Sequence, residues 1–387
     1  MIYLDNQATT PCDPRVLEAM WPWFAGQAAN PHSVEHEAGR AAAAAVAAAR
    51  AEVAALIGAE PREILFTSGA TEANNLAIKG TARFAGPSGS RRLITAATEH
   101  KCVLESVRDL AAEGFDPIIL PVRHDGAVDP DVLNGALGTP ALLVSVMAAN
   151  NETGFLADIA ALSALAHAAG ARFHTDLAQA AGKIPLDVNA LGIDLASLSA
   201  HKLYGPAGIG ALYVRHRPRM RLAPLVSGGG QERGLRAGTV PTALAVGFGT
   251  ACALARAALH DEPARIATLR DRLLTGLRSR ISDLSINGPL DRRLPGNLSL
   301  RFPGVPAIDL IAACPKLAVS TGSACTSTDV APSHVLTALG LPPAEAATTL
   351  RLSIGRFTSP VDIDNAVHLL ADAYANLAHA RRTLPKA

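Results

Sequence analysis

Lysine is scarce in this chain. Six of the 35 basic residues are lysines, at positions 79, 101, 183, 202, 316 and 386, so positive charge rests mostly on arginine. Charge of one sign is missing too: 34 acidic residues leave a net charge of +1, which gives no electrostatic footprint for nucleic acid or an anionic membrane surface. The expected partners are small molecules or proteins. Apolar runs are short, the stretch 141–149 included, and none is long enough to span a bilayer. The start, Met-Ile-Tyr-Leu-Asp, has no basic region followed by an apolar stretch. A soluble cytoplasmic protein with no membrane partner is the expectation. Cysteine is sparse, with five residues at 12, 102, 252, 314 and 325 and no Cys-x-x-Cys pair. An odd, scattered set argues against a disulfide framework or a zinc knuckle, and nothing else suggests a metal site. Most of these thiols are expected to be buried small hydrophobes, and only one in a polar, mobile setting is a functional candidate.

What is present is core material. A chain of 387 residues with 49% hydrophobic residues can build one large domain and one smaller one. Residues 1–15 read as an irregular arm packing on the small domain, followed by a helix near 16–24. Ser33 is a candidate cap for a long alanine-rich helix to about residue 57, with Glu35 and Glu37 in its first turn and Gly58 after its end. A short strand at 64–67 runs through Ser68-Gly69-Ala70-Thr71-Glu72 into a helix to about residue 79. This is a phosphate-cup pattern, because glycine lets an anion approach the backbone and the helix start favours negative charge.

Strands then follow near 92–97, 117–120, 141–147, 172–175, 195–198 and 210–214, with helices between most of them, notably 102–113 and 159–169. Such alternation predicts a largely parallel sheet covered by helices on both faces, with ligands gathering beyond the carboxyl ends of the strands. Helices at 242–260 and 263–280, strands at 297–301, 317–319 and 351–353, and helices at 306–313, 333–339 and 361–380 make a small α+β domain. The division is an arm at 1–15, a large domain at 16–255 and a small domain at 256–387.

Polar residues interrupt the pattern at the strand ends: Thr98-Glu99-His100, Asn150-Asn151-Glu152, Asp176, and Ser199-Ala200-His201-Lys202. Each has an ordinary alternative: Asp176 as the cap of a following helix, His100 as a satisfied core histidine, Lys202 as a solvated lysine before a Gly-Pro turn. Together, a carboxylate, an imidazole, two amides and a lysine at one sheet edge describe a cofactor site. Lys202 is the candidate for imine formation, since an amine can lose its proton and attack a carbonyl while guanidinium cannot. Residues 228–239, Gly-Gly-Gly-Gln-Glu-Arg-Gly-Leu-Arg-Ala-Gly-Thr, read as an anion contact or an interface loop. Segment 320–330 is small, polar and aperiodic, and is expected to be a mobile loop carrying Cys325. Arg351 offers a fork suited to a carboxylate.

The motifs Leu4-Asp5-Asn6-Gln7-Ala8-Thr9-Thr10-Pro11, Thr67-Ser68-Gly69-Ala70-Thr71-Glu72, Thr98-Glu99-His100-Lys101, Asn150-Asn151-Glu152-Thr153-Gly154, His174-Thr175-Asp176, Ser199-Ala200-His201-Lys202 and Ser323-Ala324-Cys325-Thr326-Ser327 occur in this order. Taken together they closely resemble the cysteine desulfurases of the class V aminotransferase group, nearly from end to end. The resemblance implies an α/β fold of the pyridoxal-phosphate-dependent transferase type (aminotransferase fold type I), with a mostly parallel seven-stranded sheet in the large domain, working as a homodimer.

It further implies that Lys202 holds pyridoxal 5′-phosphate as an imine, that Asp176 pairs with the ring nitrogen, and that His100 stacks on the ring. Gln179 and Asn151 would bond the phenolic oxygen or the substrate. Ala70, Thr71, Ser199 and His201 would hold the phosphate, with Thr239 reaching it from the partner subunit. Arg351 would clamp the carboxylate of L-cysteine, and Cys325, helped by a base such as His100, would take the sulfur as a persulfide, leaving L-alanine. The acceptor would be an iron–sulfur cluster scaffold or a tRNA-thiolation protein. One departure is Leu177, where the group usually has alanine. Selenocysteine lyase, a plain aminotransferase and an idle scaffold protein are the competing readings.

Overall fold

The computed structural model describes residues 1–86, 89–321 and 333–383. Its strands are β1 (Ile2–Tyr3), β2 (Ile64–Thr67), β3 (Arg92–Ala96), β4 (Asp116–Leu120), β5 (Ala141–Ser145), β6 (Arg172–Asp176), β7 (Leu195–Ser199), β8 (Gly210–Val214), β9 (Ser285–Ile286), β10 (Asn297–Arg301), β11 (Leu317–Ala318) and β12 (Thr349–Ser353). Its helices are α1 (Pro14–Phe24), α2 (Glu37–Leu56), α3 (Ala70–Ala85), α4 (Lys101–Asp109), α5 (Pro130–Leu137), α6 (Ile159–Ala168), α7 (Thr242–Ala258), α8 (Glu262–Arg278), α9 (Ala307–Ala313), α10 (His334–Ala338), α11 (Pro343–Ala346) and α12 (Pro360–Thr383).

Seven strands form the main sheet in the order β2-β8-β7-β6-β5-β3-β4. Only β8 runs against its neighbours β2 and β7; the other pairings are parallel. The period-two alternation sorts side chains to the two faces. Ile64, Phe66, Phe173, Leu198 and Tyr213 pack on one face beneath α2 and α7, while Leu65, Leu93, Leu143, Leu195 and Leu212 pack on the other beneath α3 and α4. Both faces are therefore covered, which is what near-continuous apolar strands require. The alanine body of α2 serves a close approach: a Cβ on Gly249 of α7 would stand 2.6 Å from Ala49 Cα. Among the described residues, no single helix is long and apolar enough to cross a membrane.

A separate core belongs to the C-terminal part, where α8, α9 and α12 pack Leu273, Leu277, Leu310 and Leu370 against Leu298, Leu300, Leu350 and Leu352 of the antiparallel sheet β12-β10-β9. The N-terminal arm joins it. Strand β1 pairs in parallel with β11, and Leu4 is fully buried in that core. The arm then crosses to the large sheet, the Thr10 amide donating to the His201 carbonyl at 2.9 Å.

Several boundaries differ from the sequence expectation. The long helix begins at Glu37, not beside Ser33, with His36 as its cap, Nδ1 accepting from the Gly39 amide at 3.0 Å. The Ser33 carbonyl folds onto Gly39 so closely that any Cβ there would clash. The helix after the cup continues to Ala85, and the segment expected as one helix at 102–113 divides into α4 and a 3-10 turn, Leu110–Glu113. No helix follows Asp176; turns do.

Candidate active site

The carboxyl ends of β2, β5, β6 and β7 open on a cleft of about 520 Å³, lined by Ala70, Thr71, His100, Asn151, Asp176, Gln179, Ser199, His201, Lys202 and Arg351, among others. That volume is within the range of small-molecule sites, roughly 300–1,000 Å³. Ten of the residues singled out from the sequence thus share one cleft. Thr239 does not line it and is exposed. Cys325 lies outside the described residues, as does all of 322–332.

At one end lies the cup. Strand β2 leads through Ser68 and Gly69 into α3, whose first residues, Ala70 and Thr71, line the cleft. A Cβ on Gly69 would meet nothing nearer than Ser199 Oγ, at 3.9 Å, so the space above the backbone is open. Glu72 Oε2 accepts from the Ser68 amide at 2.7 Å, and Arg236 Nε reaches Glu72 Oε1 at 2.9 Å. Both arginines of loop 228–239 bind their own chain, Arg233 bonding the carbonyls of Arg62 and Ile64. Glu232 completes the anchoring: it accepts from Arg50 at 2.6 Å and from the Phe66 amide at 2.7 Å, satisfying the outer edge of β2.

Asp176 ends β6. Its Oδ1 accepts from the Ala178 amide at 2.8 Å, and its Oδ2 from Asn74 Nδ2 at 2.7 Å. Lys202 closes a short 3-10 turn after β7, and its Nζ donates to the carbonyls of Gln7 at 2.7 Å and Ala8 at 2.6 Å. Two residues on, Tyr204 adopts φ +65, a conformation held from both sides. Its amide donates to Thr10 Oγ1 at 2.7 Å and its hydroxyl accepts from the Arg356 amide at 2.6 Å. His201 Nδ1 stands 3.0 Å from Thr9 Oγ1. Burial first, then the charges of Lys202 and Lys183, push its pKa down to about 4, so the imidazole is neutral at pH 7.

His100 caps α4, its Nδ1 accepting from the Cys102 amide at 3.2 Å. Cys102 Sγ lies 3.0 Å from the same nitrogen and borders the cleft, a half-buried thiol that the sequence did not single out. Arg351, from β12, is almost fully buried. It donates to the Asn151 carbonyl and to Asp5 Oδ1, both at 2.8 Å. Asn151 Oδ1 is buried and without a partner.

Sequence reasoning treated the arm as packing material and missed Asp5, Gln7 and Ala8 as parts of the site, along with Asn74 and Lys183. The contacts of Asp5, Gln7, Ala8 and Asn74 join segments far apart in the chain, whereas Lys183 meets Gln179 only four residues away.

Comparison with known proteins places this arrangement. The profile of the family "Aminotransferase class-V" matches residues 2–366. The chain is 50% identical over 369 residues to a cysteine desulfurase IscS of Rickettsia bellii, an alignment covering 95% of this chain and 90% of that protein. Among solved structures it is similar to a NifS-like protein from Rickettsia africae, at 31% identity and a TM-score of 0.86 with 97% and 99% of the two chains covered. It is also similar to SspA in complex with cysteine, at 37% identity and a TM-score of 0.82, covering 93% and 100%. The chain belongs to the class V aminotransferase family, a family of pyridoxal-phosphate enzymes, and within it to the cysteine desulfurases. The residues present fit that cofactor: an open glycine cup at a helix start, a doubly bonded carboxylate, a lysine amine and an orphaned amide oxygen border one cleft.

Proposed function

We propose that this chain is a pyridoxal-phosphate-dependent cysteine desulfurase: it takes the sulfur of L-cysteine as a persulfide on Cys325, releases L-alanine, and passes the sulfur to an acceptor protein. The observation that supports this most is the convergence of Lys202 and Asp176 on one cleft with the cup before α3. The names of the relatives, cysteine desulfurase among them, agree with it.

In this reading Lys202 carries the cofactor, and Ala70, Thr71, Ser199 and His201 receive its phosphate, with Thr239 supplied by a second copy of the chain in a homodimer. A neutral His201 accepts or donates one hydrogen bond there without adding charge. Pyridoxal 5′-phosphate, when bound, supplies an electron sink conjugated to the substrate's amino group. Asp176, fixed by two donors, would face the ring nitrogen and favour a proton there. Asn151 and Gln179 offer amide groups to the ring oxygen or the substrate. Arg351 binds the substrate carboxylate, and its contacts with Asp5 and the Asn151 carbonyl aim its fork. The Lys202 amine moves the proton at the substrate Cα. His100, on the same cleft, assists the Cys325 thiol, whose thiolate is the attacking form. The acceptor is an iron–sulfur cluster scaffold or a tRNA-thiolation protein, in the cytoplasm.

The test compares the parent with Cys325→Ala and Lys202→Ala for alanine and sulfide release from L-cysteine with a reductant present, together with visible spectra. The expected result is a yellow parent that releases both, a yellow Cys325→Ala that releases no sulfide, and an altered spectrum in Lys202→Ala. Equal sulfide release by Cys325→Ala would replace this reading with a lyase or transaminase on the same cofactor.

A further inference from the structure

A glutamine side chain has two ends of nearly the same shape, one accepting and one donating, and only its partners decide which end points where. For Gln179 one of two such partners is Lys183, whose Nζ donates to Oε1 at 3.0 Å. An ammonium has hydrogens to give and no acceptor, so the amide oxygen must face Lys183 and the NH₂ must face away. On that side Nε2 donates to the Gln7 carbonyl at 2.9 Å, the same carbonyl that receives Lys202 Nζ at 2.7 Å. One Nε2 hydrogen is used there, and the second belongs to the same planar group at the wall of the cleft.

Lys183 itself is not among the residues lining the cleft, whereas Gln179 is. Lys183 borders a separate small pocket of about 40 Å³ with Gln7, Tyr204 and Glu262. The turn bearing it is pressed onto α7: Gly182 has φ +71, and a Cβ there would stand 2.9 Å from Ala255 Cβ. The lysine therefore has a fixed base and one side-chain acceptor, four residues back. Keeping a cation here is unfavourable, since burial, then the charges of Lys202 and Arg351, push its pKa down to about 7. The Gln179 contact is what the position gains in return.

We infer that Lys183 is a positioning residue whose ammonium, together with the Gln7 carbonyl, holds the polarity of the Gln179 amide, so that the amide presents an N–H donor to an anionic oxygen of the ligand in the cleft. The inference rests on the proposed function, in which that oxygen is the phenolate of pyridoxal 5′-phosphate. Without Lys183 the amide oxygen loses its donor and only the Gln7 carbonyl still holds the amide's orientation, so the N–H is presented to the phenolate less firmly.

The experiment measures the dissociation constant of pyridoxal 5′-phosphate by equilibrium dialysis of the full chain at pH 6.5, with the visible absorption maximum of each sample. The set is the parent, Lys183→Met, Gln179→Ala and the double variant. Losing a hydrogen bond to an ionised oxygen predicts a roughly tenfold weaker dissociation constant for Lys183→Met, with a shifted absorption maximum. In the Gln179→Ala background the same change should alter it by less than about twofold, because Lys183 acts only through Gln179. The thermal midpoint of cofactor-free Lys183→Met should match or exceed the parent's, since a half-buried cation held at a cost has been removed, and this separates the effect from misfolding. An unchanged dissociation constant and spectrum in Lys183→Met would overturn the inference, as would an equal loss in the Gln179→Ala background. A parent that takes up no cofactor would overturn the functional reading and this inference together.

Discussion

Asn74 Nδ2 stands 2.7 Å from Asp176 Oδ2, tying helix α3 to the end of β6. The two residues are 102 positions apart. Asn74 is fully buried, and its own Oδ1 has no partner, so its position serves the carboxylate more than itself. With the Ala178 amide on Oδ1, Asp176 is held from two elements at once. Asn74→Ala removes a hydrogen bond to the Asp176 carboxyl group, about 1.5–3 kcal/mol, and cofactor retention should weaken by roughly ten- to a hundredfold. Dialysis followed by absorbance reads this directly, and full retention would mean that Asp176 keeps its pose unaided.

Gly210 makes a different demand, on space. It pairs with Thr67 on one side and Ser199 on the other, so it stands between the cup and the Lys202 turn. A Cβ there would lie 2.4 Å from the Leu198 carbonyl oxygen and 2.7 Å from Gly69 Cα, both backbone atoms. Gly210→Ala must push the strands apart and should lose about 1–3 kcal/mol of stability. Urea unfolding of the cofactor-free chain measures the loss, and an unchanged midpoint would show that the sheet yields there without strain.

The large sheet was legible because strands and helices alternate, and a parallel topology turns position in the chain into position in space. That is why polar residues at successive strand ends, His100, Asn151, Asp176 and Lys202, could be grouped before any coordinates. Helix starts were less legible. Ser33 is the better capping residue by type, yet its carbonyl packs on Gly39 and the helix waits for His36. Least legible were the supporting contacts. Asp5 meets Arg351 across 346 residues and Gln179 meets the Gln7 carbonyl across 172, and separations of that size follow no local period.

Arg351 is the natural site for a conservative test. Its two outer nitrogens are 2.8 Å from the Asn151 carbonyl and from Asp5 Oδ1, a planar arrangement that a lysine cannot reproduce. Arg351→Lys keeps the charge and loses the fork. The KM for L-cysteine should rise by roughly tenfold or more, with a smaller fall in kcat, if the fork mainly binds the carboxylate. Steady-state kinetics over a range of cysteine concentrations decide it: an equal loss in kcat with KM unmoved would give Arg351 a role in the chemical step instead.

Acid should destabilise this fold through His174. The ring is fully buried in β6, with Nδ1 2.7 Å from Ser145 Oγ and Nε2 3.1 Å from Ser197 Oγ. Burial pushes its pKa down to about 3, against an ordinary value of about 6.5. Between these two values the unfolded chain binds a proton that the folded chain refuses, so stability falls as pH drops from 6.5 towards 3 and is unaffected by this group above 6.5. The ceiling of the effect is roughly 4–5 kcal/mol. Glu99 works the other way. Burial raises its pKa well above the usual carboxylate range, so the folded chain holds a proton that the unfolded chain has released, which stabilises the fold as pH falls. The slope of the parent alone therefore mixes both signs, and the readout is the difference between parent and His174→Gln. Glutamine cannot protonate in this range, so its unfolding free energy should decline less steeply between pH 6.5 and 4 even if it starts lower at pH 7. Parallel slopes would assign the acid sensitivity to other groups.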